Sequence, residues 1–136
     1  MSYTVSLLTN RADCQAMIDI AAAEKEGLAY HKTGLERQHQ TATLTSAEIE
    51  TELVSVTAEL DALQTIMNSL PDGPLKVETL RKQKKAEYKK FLLEQRRGNY
   101  GVMNLLEKEY NIACTEKDLD ETDAFITALT ERMNAL

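Results

Sequence analysis

The sequence is poor in the residues that turn a chain. Its 136 residues include two prolines and five glycines. An all-β or α/β fold of this length needs many more reversals than these can make, so both classes are set aside. Tryptophan is absent and aromatics make up only 5%, which leaves no obvious stacking platform for single-stranded nucleic acid. The two cysteines, Cys14 and Cys114, lie far apart without metal-type spacing and suit a reducing compartment. No run approaches 18 consecutive apolar residues, so no membrane span is expected. The first ten residues lack the basic and apolar regions of a secretion signal, which makes the cytoplasm the default location. There is also no glycine-rich phosphate loop, no nucleophile elbow and no histidine beside a serine or cysteine in a plausible pocket. An enzyme is therefore not expected, and no cofactor is implied.

What the sequence does contain is an apolar column with a period of seven. In the first half it runs Cys14, Ala21, Leu28, Leu35, Ala42, Ile49, Val56, Leu63 and Leu70. In the second it runs Phe91, Gly98, Leu105, Ile112, Leu119, Ile126 and Met133. Such a column marks long helices packed lengthwise. The densest stretch, Ile49, Leu53, Val56, Leu60, Leu63, Met67 and Leu70, alternates steps of four and three, the pattern of a coiled-coil seam. Pro71-Asp72-Gly73-Pro74 holds both prolines and marks a reversal. The reading is a single all-α domain, 1–136, formed as an antiparallel hairpin. One arm spans about 10–70, the turn 71–73, and the second arm about 74–135. Thr9 or Asn10 can cap the first helix, with Asp13 in its first turn. Met1 to Leu8 reads as a short β-prone lead.

Each arm has one weak point. Residues 41–46 collect β-branched and cap-forming residues, and Thr45 with Glu48 makes a capping box, a helix-start signal. Residues 97–101 contain Gly98 and Gly101. Folding the chain at Asp72 pairs residues whose numbers sum to about 144 to 148, which sets these two points level. Continuous or kinked arms, two copies forming a four-helix dimer, are favoured over the alternative, a monomeric four-helix bundle folded over at that level. Apolar residues off the main column argue for self-association: Val54, Ala58, Ile66, Leu80, Leu92, Leu106, Tyr110, Phe125, Leu129 and Leu136. A lone two-helix hairpin has no second seam to cover them.

Charge is unevenly spread. The net charge is −6, but Lys76 to Arg97 holds nine basic and three acidic residues, against seven and nineteen elsewhere. Glu48, Glu50, Glu52, Glu59 and Asp61 face this segment on the fold-back, so intramolecular pairing is expected to neutralise it. Nucleic acid is disfavoured accordingly. If Lys82, Lys85, Lys89 and Arg96 instead form an outward stripe, they would hold phosphates or another anionic surface. A second polar column, Lys25, Lys32, His39 and Ser46, falls at heights similar to those of Glu109, Glu116 and Asp123, with Lys32 expected between Glu109 and Glu116, and reads as a register-setting seam. Glu36 and His39, with Glu109 and Glu116, are the only candidate metal ligands. Bundle di-iron sites use two Glu-x-x-His pairs, and only one is present. The leading functional reading is a non-catalytic scaffold, adaptor or chaperone-like helical protein. It would bind itself and an unidentified protein partner. An anionic-surface binder and a metal or small-ligand bundle are the alternatives.

Overall fold

The computed structural model describes residues 2–136. Three α-helices account for nearly all of it: α1 (Arg11–Ser69), α2 (Pro74–Asn99) and α3 (Val102–Asn134). No strand occurs among the described residues. The lead expected to be extended instead forms a 3₁₀ turn at Val5–Leu7. Asn10 caps α1 as expected: its Oδ1 accepts the Asp13 backbone N–H at 2.8 Å, and its Nδ2 donates to Asp13 Oδ2 at 2.9 Å. One orphan backbone N–H is thereby satisfied at the helix start.

The two weak points behave differently. Helix α1 is unbroken through 41–46, although its capping box signals a start there. Ala42 and Ile49 are buried on either side of the threonine run, so packing outweighs the local preference for a cap. At 97–101 the second run does divide, into α2 and α3. Gly101 is required at this break, because a Cβ there would lie 2.7 Å from the Arg97 carbonyl oxygen. The turn before α2 rests on another glycine. Gly73 has φ 156° and ψ −175°, a region essentially restricted to glycine. Pro74 then opens the helix with a preset φ.

The chain separates into two units. One comprises the chain up to His39 with Glu107–Leu136, and the other is Gln40–Leu106. In the second unit the end of α1 packs antiparallel on α2 around Ile49, Leu53, Val56, Leu63, Ala86 and Leu93, with Leu60 against them. In the first unit the start of α1 lies antiparallel to α3, and its buried residues are Cys14, Ala21, Leu35, Thr115 and Leu129. Both buried threonines, Thr79 and Thr115, return their hydroxyls to a carbonyl four residues earlier, each at 2.8 Å. Their polar atoms therefore cost nothing unpaired.

The expected column holds along α1, and in α3 its members Leu105, Ile112, Leu119, Ile126 and Met133 are all half-buried, but it is displaced along α2. Cys14, Ala21, Leu35, Ala42, Ile49, Val56 and Leu63 are all buried. In α2, however, the buried column is Thr79, Ala86 and Leu93, while Phe91 is 53% exposed. In α3 the column continues from Gly101 through Lys108, Thr115, Thr122 and Leu129, all buried or half-buried. Seven residues after Leu93 is Tyr100, so the α2 column reaches α3 one residue late. The break at Tyr100-Gly101 inserts that residue, and a single column drawn across it misplaces Phe91 and Gly98.

Candidate interaction surface

The polar column of the first unit is paired throughout. Lys25 Nζ lies 2.6 Å from Asp123 Oδ1, and Lys32 Nζ lies 3.3 Å from Glu116 Oε1 and 3.7 Å from Glu36 Oε1. His39 Nε2 stands 3.1 Å from Glu109 Oε1. In each cross-helix pair the residue numbers sum to 148, the expected fold-back register. Lys108 Nζ donates to Gln38 Oε1 at 3.5 Å. This geometry separates the four metal candidates. Glu36 and Glu116 turn to one ammonium while His39 and Glu109 turn to each other. No group of three or more His, Cys, Asp or Glu side chains among the described residues is placed to hold a metal ion. The lysine supplies the positive charge that a cation would otherwise bring to these carboxylates.

Next to this column, a groove of about 400 Å³ is lined by Ile20, Glu24, Leu28, Asp118, Tyr3 and Phe125, among others. Tyr3 closes one side. Its ring sits 4.7 Å from that of Phe125, tilted by 47°, and its hydroxyl donates to Glu121 Oε1. That hydrogen bond raises the Tyr3 hydroxyl above its ordinary pKa, with burial and the Glu121 charge adding to it. The lead is also held by Arg132. Its Nε donates to the Leu8 carbonyl at 3.0 Å, and its Nη2 donates to the Leu8 carbonyl at 2.9 Å and the Ser6 carbonyl at 3.3 Å. Arg11 Nη1 returns a bond to the Met133 carbonyl at 3.0 Å. Neither arginine was a candidate from the sequence, because a backbone acceptor more than a hundred residues away leaves no local signal. Phe125 and Leu129, expected to be uncovered, are half-buried and buried in this unit.

The second unit shows the opposite state of its charges. Only two of the nine basic residues between Lys76 and Arg97 meet a carboxylate. Lys76 Nζ lies 3.4 Å from Asp72 Oδ1. Arg97 forms a fork on Glu50, Nε to Oε1 at 2.6 Å and Nη2 to Oε2 at 3.0 Å. The fork holds the Arg97 pKa above its usual value. The other seven have no ion pair among the described residues. Lys82, Lys85, Lys89 and Arg96 are all exposed. Glu48, Glu52, Glu59 and Asp61 are likewise exposed, with no ion pair among the described residues. Wholesale neutralisation of α2 by α1 is therefore corrected to a single bidentate pair. The reason is reach: Arg97 spans the seam with a long planar fork, whereas the lysine row points into solvent, where isolated pairs gain little.

Large apolar side chains lie among these charges. Val54 is 71% exposed and Tyr88 63%, and Ile66, Leu75, Val77, Leu80, Phe91 and Leu92 are also exposed. Arg81, Lys82, Lys84, Lys85 and Tyr88 border one open depression on α2. No helix among the described residues is long and apolar enough to cross a membrane. The chain matches no protein-family model, no curated protein and no solved structure.

Proposed function

We propose that this chain is a non-catalytic helical interaction protein, a scaffold, adaptor or chaperone-like hairpin that associates with a second copy of itself and with a further protein partner. One observation carries the reading: Val54, Ile66, Leu80, Leu92, Leu106 and Tyr110 stand in solvent in the single chain. Covering such side chains with another protein surface removes apolar area from water and favours association. The two free cysteines, Cys14 buried and Cys114 exposed, fit a reducing compartment such as the cytoplasm. Light scattering at micromolar concentration tests the self-association, with a mass of twice 15.3 kDa expected. A single-chain mass up to roughly 100 μM, weaker than ordinary specific association, overturns it. A pull-down followed by mass spectrometry identifies the further partner.

A second reading has its own support. The exposed, unpaired row of Lys82, Lys85, Lys89 and Arg96 has the form of a phosphate-binding stripe. A gel-shift titration at two salt concentrations separates the readings. Sub-micromolar binding at about 150 mM salt, with a steep salt slope, marks a nucleic-acid binder, whereas ordinary non-specific affinity is about 10⁻⁴ to 10⁻⁶ M.

A further inference from the structure

The exposed basic row does not stand alone on its side of the second unit. Lys82, Lys89 and Arg96 each follow a buried residue of α2 by three positions: Thr79, Ala86 and Leu93. On α1, Glu52, Glu59 and Ile66 each follow a buried residue by the same three positions: Ile49, Val56 and Leu63. In an antiparallel pair, equal angular offsets from the seam bring both rows to the same side. One side of this helix pair therefore presents an acidic row beside a basic one. Glu48 and Lys85, each one residue before a buried position, extend the two rows. Ile66 and Leu92 add exposed apolar area.

The rows are also in step. Gln83 Nε2 donates to Gln64 Oε1 at 2.8 Å, and Arg97 pairs with Glu50, so level residues in this unit have numbers summing to 147. Glu52 then stands level with Arg96, and Glu59 with Lys89, within one residue. None of these four makes an ion pair within its own chain among the described residues.

We propose that a second copy of the chain docks on this side, related by a two-fold axis parallel to the helices, so that α1 of each copy lies over α2 of the other. Rotation about such an axis preserves height and exchanges the rows. Glu52 and Glu59 of one copy then meet Arg96 and Lys89 of the other, and the same two pairs recur on the symmetric side, four contacts in all. The contact is isologous and closes at two copies. This inference rests on the self-association proposed above and names the surface that performs it. The same arrangement disfavours phosphate as the occupant, because a polyanion on the lysine row would lie against Glu52 and Glu59. Charge pairs of this kind fix partner and register.

The test uses two charge-reversed full-length chains, Glu52→Lys with Glu59→Lys, and Lys89→Glu with Arg96→Glu. All four positions are exposed, and circular dichroism checks that each variant keeps its helix. Analytical ultracentrifugation of each variant alone should show the dimer dissociation constant raised at least about 100-fold, since every cross-copy pair becomes a like-charge contact. An equimolar mixture of the two variants restores unlike charges at all four contacts and should return the mass to twice 15.3 kDa. If the wild-type chain is dimeric and both variants remain equally dimeric, this surface is wrong while self-association stands. If the wild-type chain is monomeric throughout, the underlying reading fails with it. Tight binding of a 20-base-pair DNA duplex that Lys89→Glu with Arg96→Glu abolishes would assign the row to phosphate and overturn the proposal.

Discussion

The two units join their helices by different means. In Gln40–Leu106, α1 contributes Ile49, Leu53, Val56 and Leu63 to a continuous apolar contact, and cross-helix ion pairing is confined to Arg97 and Glu50. In the other unit, α1 buries the smaller Cys14 and Ala21 together with Leu35. There the neighbouring column is Lys25, Lys32 and His39, each paired across to α3. Apolar burial supplies adhesion at about 25 cal/mol per Å² but discriminates poorly between registers one heptad apart. Half-exposed ion pairs supply little adhesion, yet two of them and the His39–Glu109 contact at one common register make a slipped alignment costly. One unit is thus held mainly by area and the other is indexed by charge.

The sharpest way to break this contrast is to remove a large side chain from the apolar unit. Ile49 is 1% exposed, and Ile49→Ala should cost about 2–5 kcal/mol in urea unfolding, from lost transfer energy plus the cavity left behind. A loss below about 1 kcal/mol would show a loose contact and erase the distinction. A smaller effect is expected at Gly101, where α2 ends. An added methyl group would meet the Arg97 carbonyl at 2.7 Å. Relieving that overlap costs about 1–3 kcal/mol, against about 0.4–1 gained from a less flexible unfolded chain. Gly101→Ala should therefore destabilise modestly in thermal melts, and a gain in melting temperature would mean that the close approach does not hold the break.

Much of this was legible in the residues, and the exceptions have identifiable causes. Period and spacing sufficed for α1, because its column never loses phase between Cys14 and Leu63. The turn was marked by Gly73 and Pro74, whose backbone limits are intrinsic. The register placed Lys32 between Glu109 and Glu116, and its ammonium meets Glu116 and Glu36 while Glu109 turns to His39. The phase of α2 was not legible, since Thr79 and Ala86 are weak core residues and Phe91 offered a stronger but misleading apolar signal. A glycine pair signals a possible break but does not say whether it uses up a residue. The unbroken helix through Thr41 to Ser46 reflects packing at Ala42 and Ile49, which no local propensity reports. The solvent-facing lysine row was hidden for a related reason: opposite net charges on two helices do not specify which side chains reach each other.

The charge-indexed unit is tested at Lys32, whose side chain is 29% exposed between Glu36 and Glu116. Lys32→Leu removes an ammonium that is partly desolvated and frees two carboxylates that remain half in water. Exposed pairs are worth about 0–1 kcal/mol, so the change should stay within about 1 kcal/mol in either direction. Breaking a dry pair would instead cost about 3–5 kcal/mol. A loss of that size would make this seam as adhesive as the apolar one.

The smallest effect is spectroscopic and concerns the lead at the far end of the same unit. The Tyr3 hydroxyl donates to Glu121, and ionising it would remove that bond and place a phenolate beside a carboxylate. Its pKa is therefore raised, chiefly by the hydrogen bond. Tyr110 on α3 is raised as well, chiefly by its hydrogen bond with Cys114. The sign follows from linkage. A folded-state pKa above the unfolded value of about 10 means that the contact stabilises fully below that pH, and is lost as pH rises through the folded value. Alkaline titration followed by tyrosinate absorbance should thus contain two late components among the five tyrosines. Tyr3→Phe should remove one of them. Glu121→Gln keeps an acceptor but removes the charge, and should bring that component partly back toward the ordinary range. If Tyr3→Phe merely scales the whole curve down without changing its shape, the lead is not held by Glu121. Its attachment would then rest on Arg132 and the Phe125 contact.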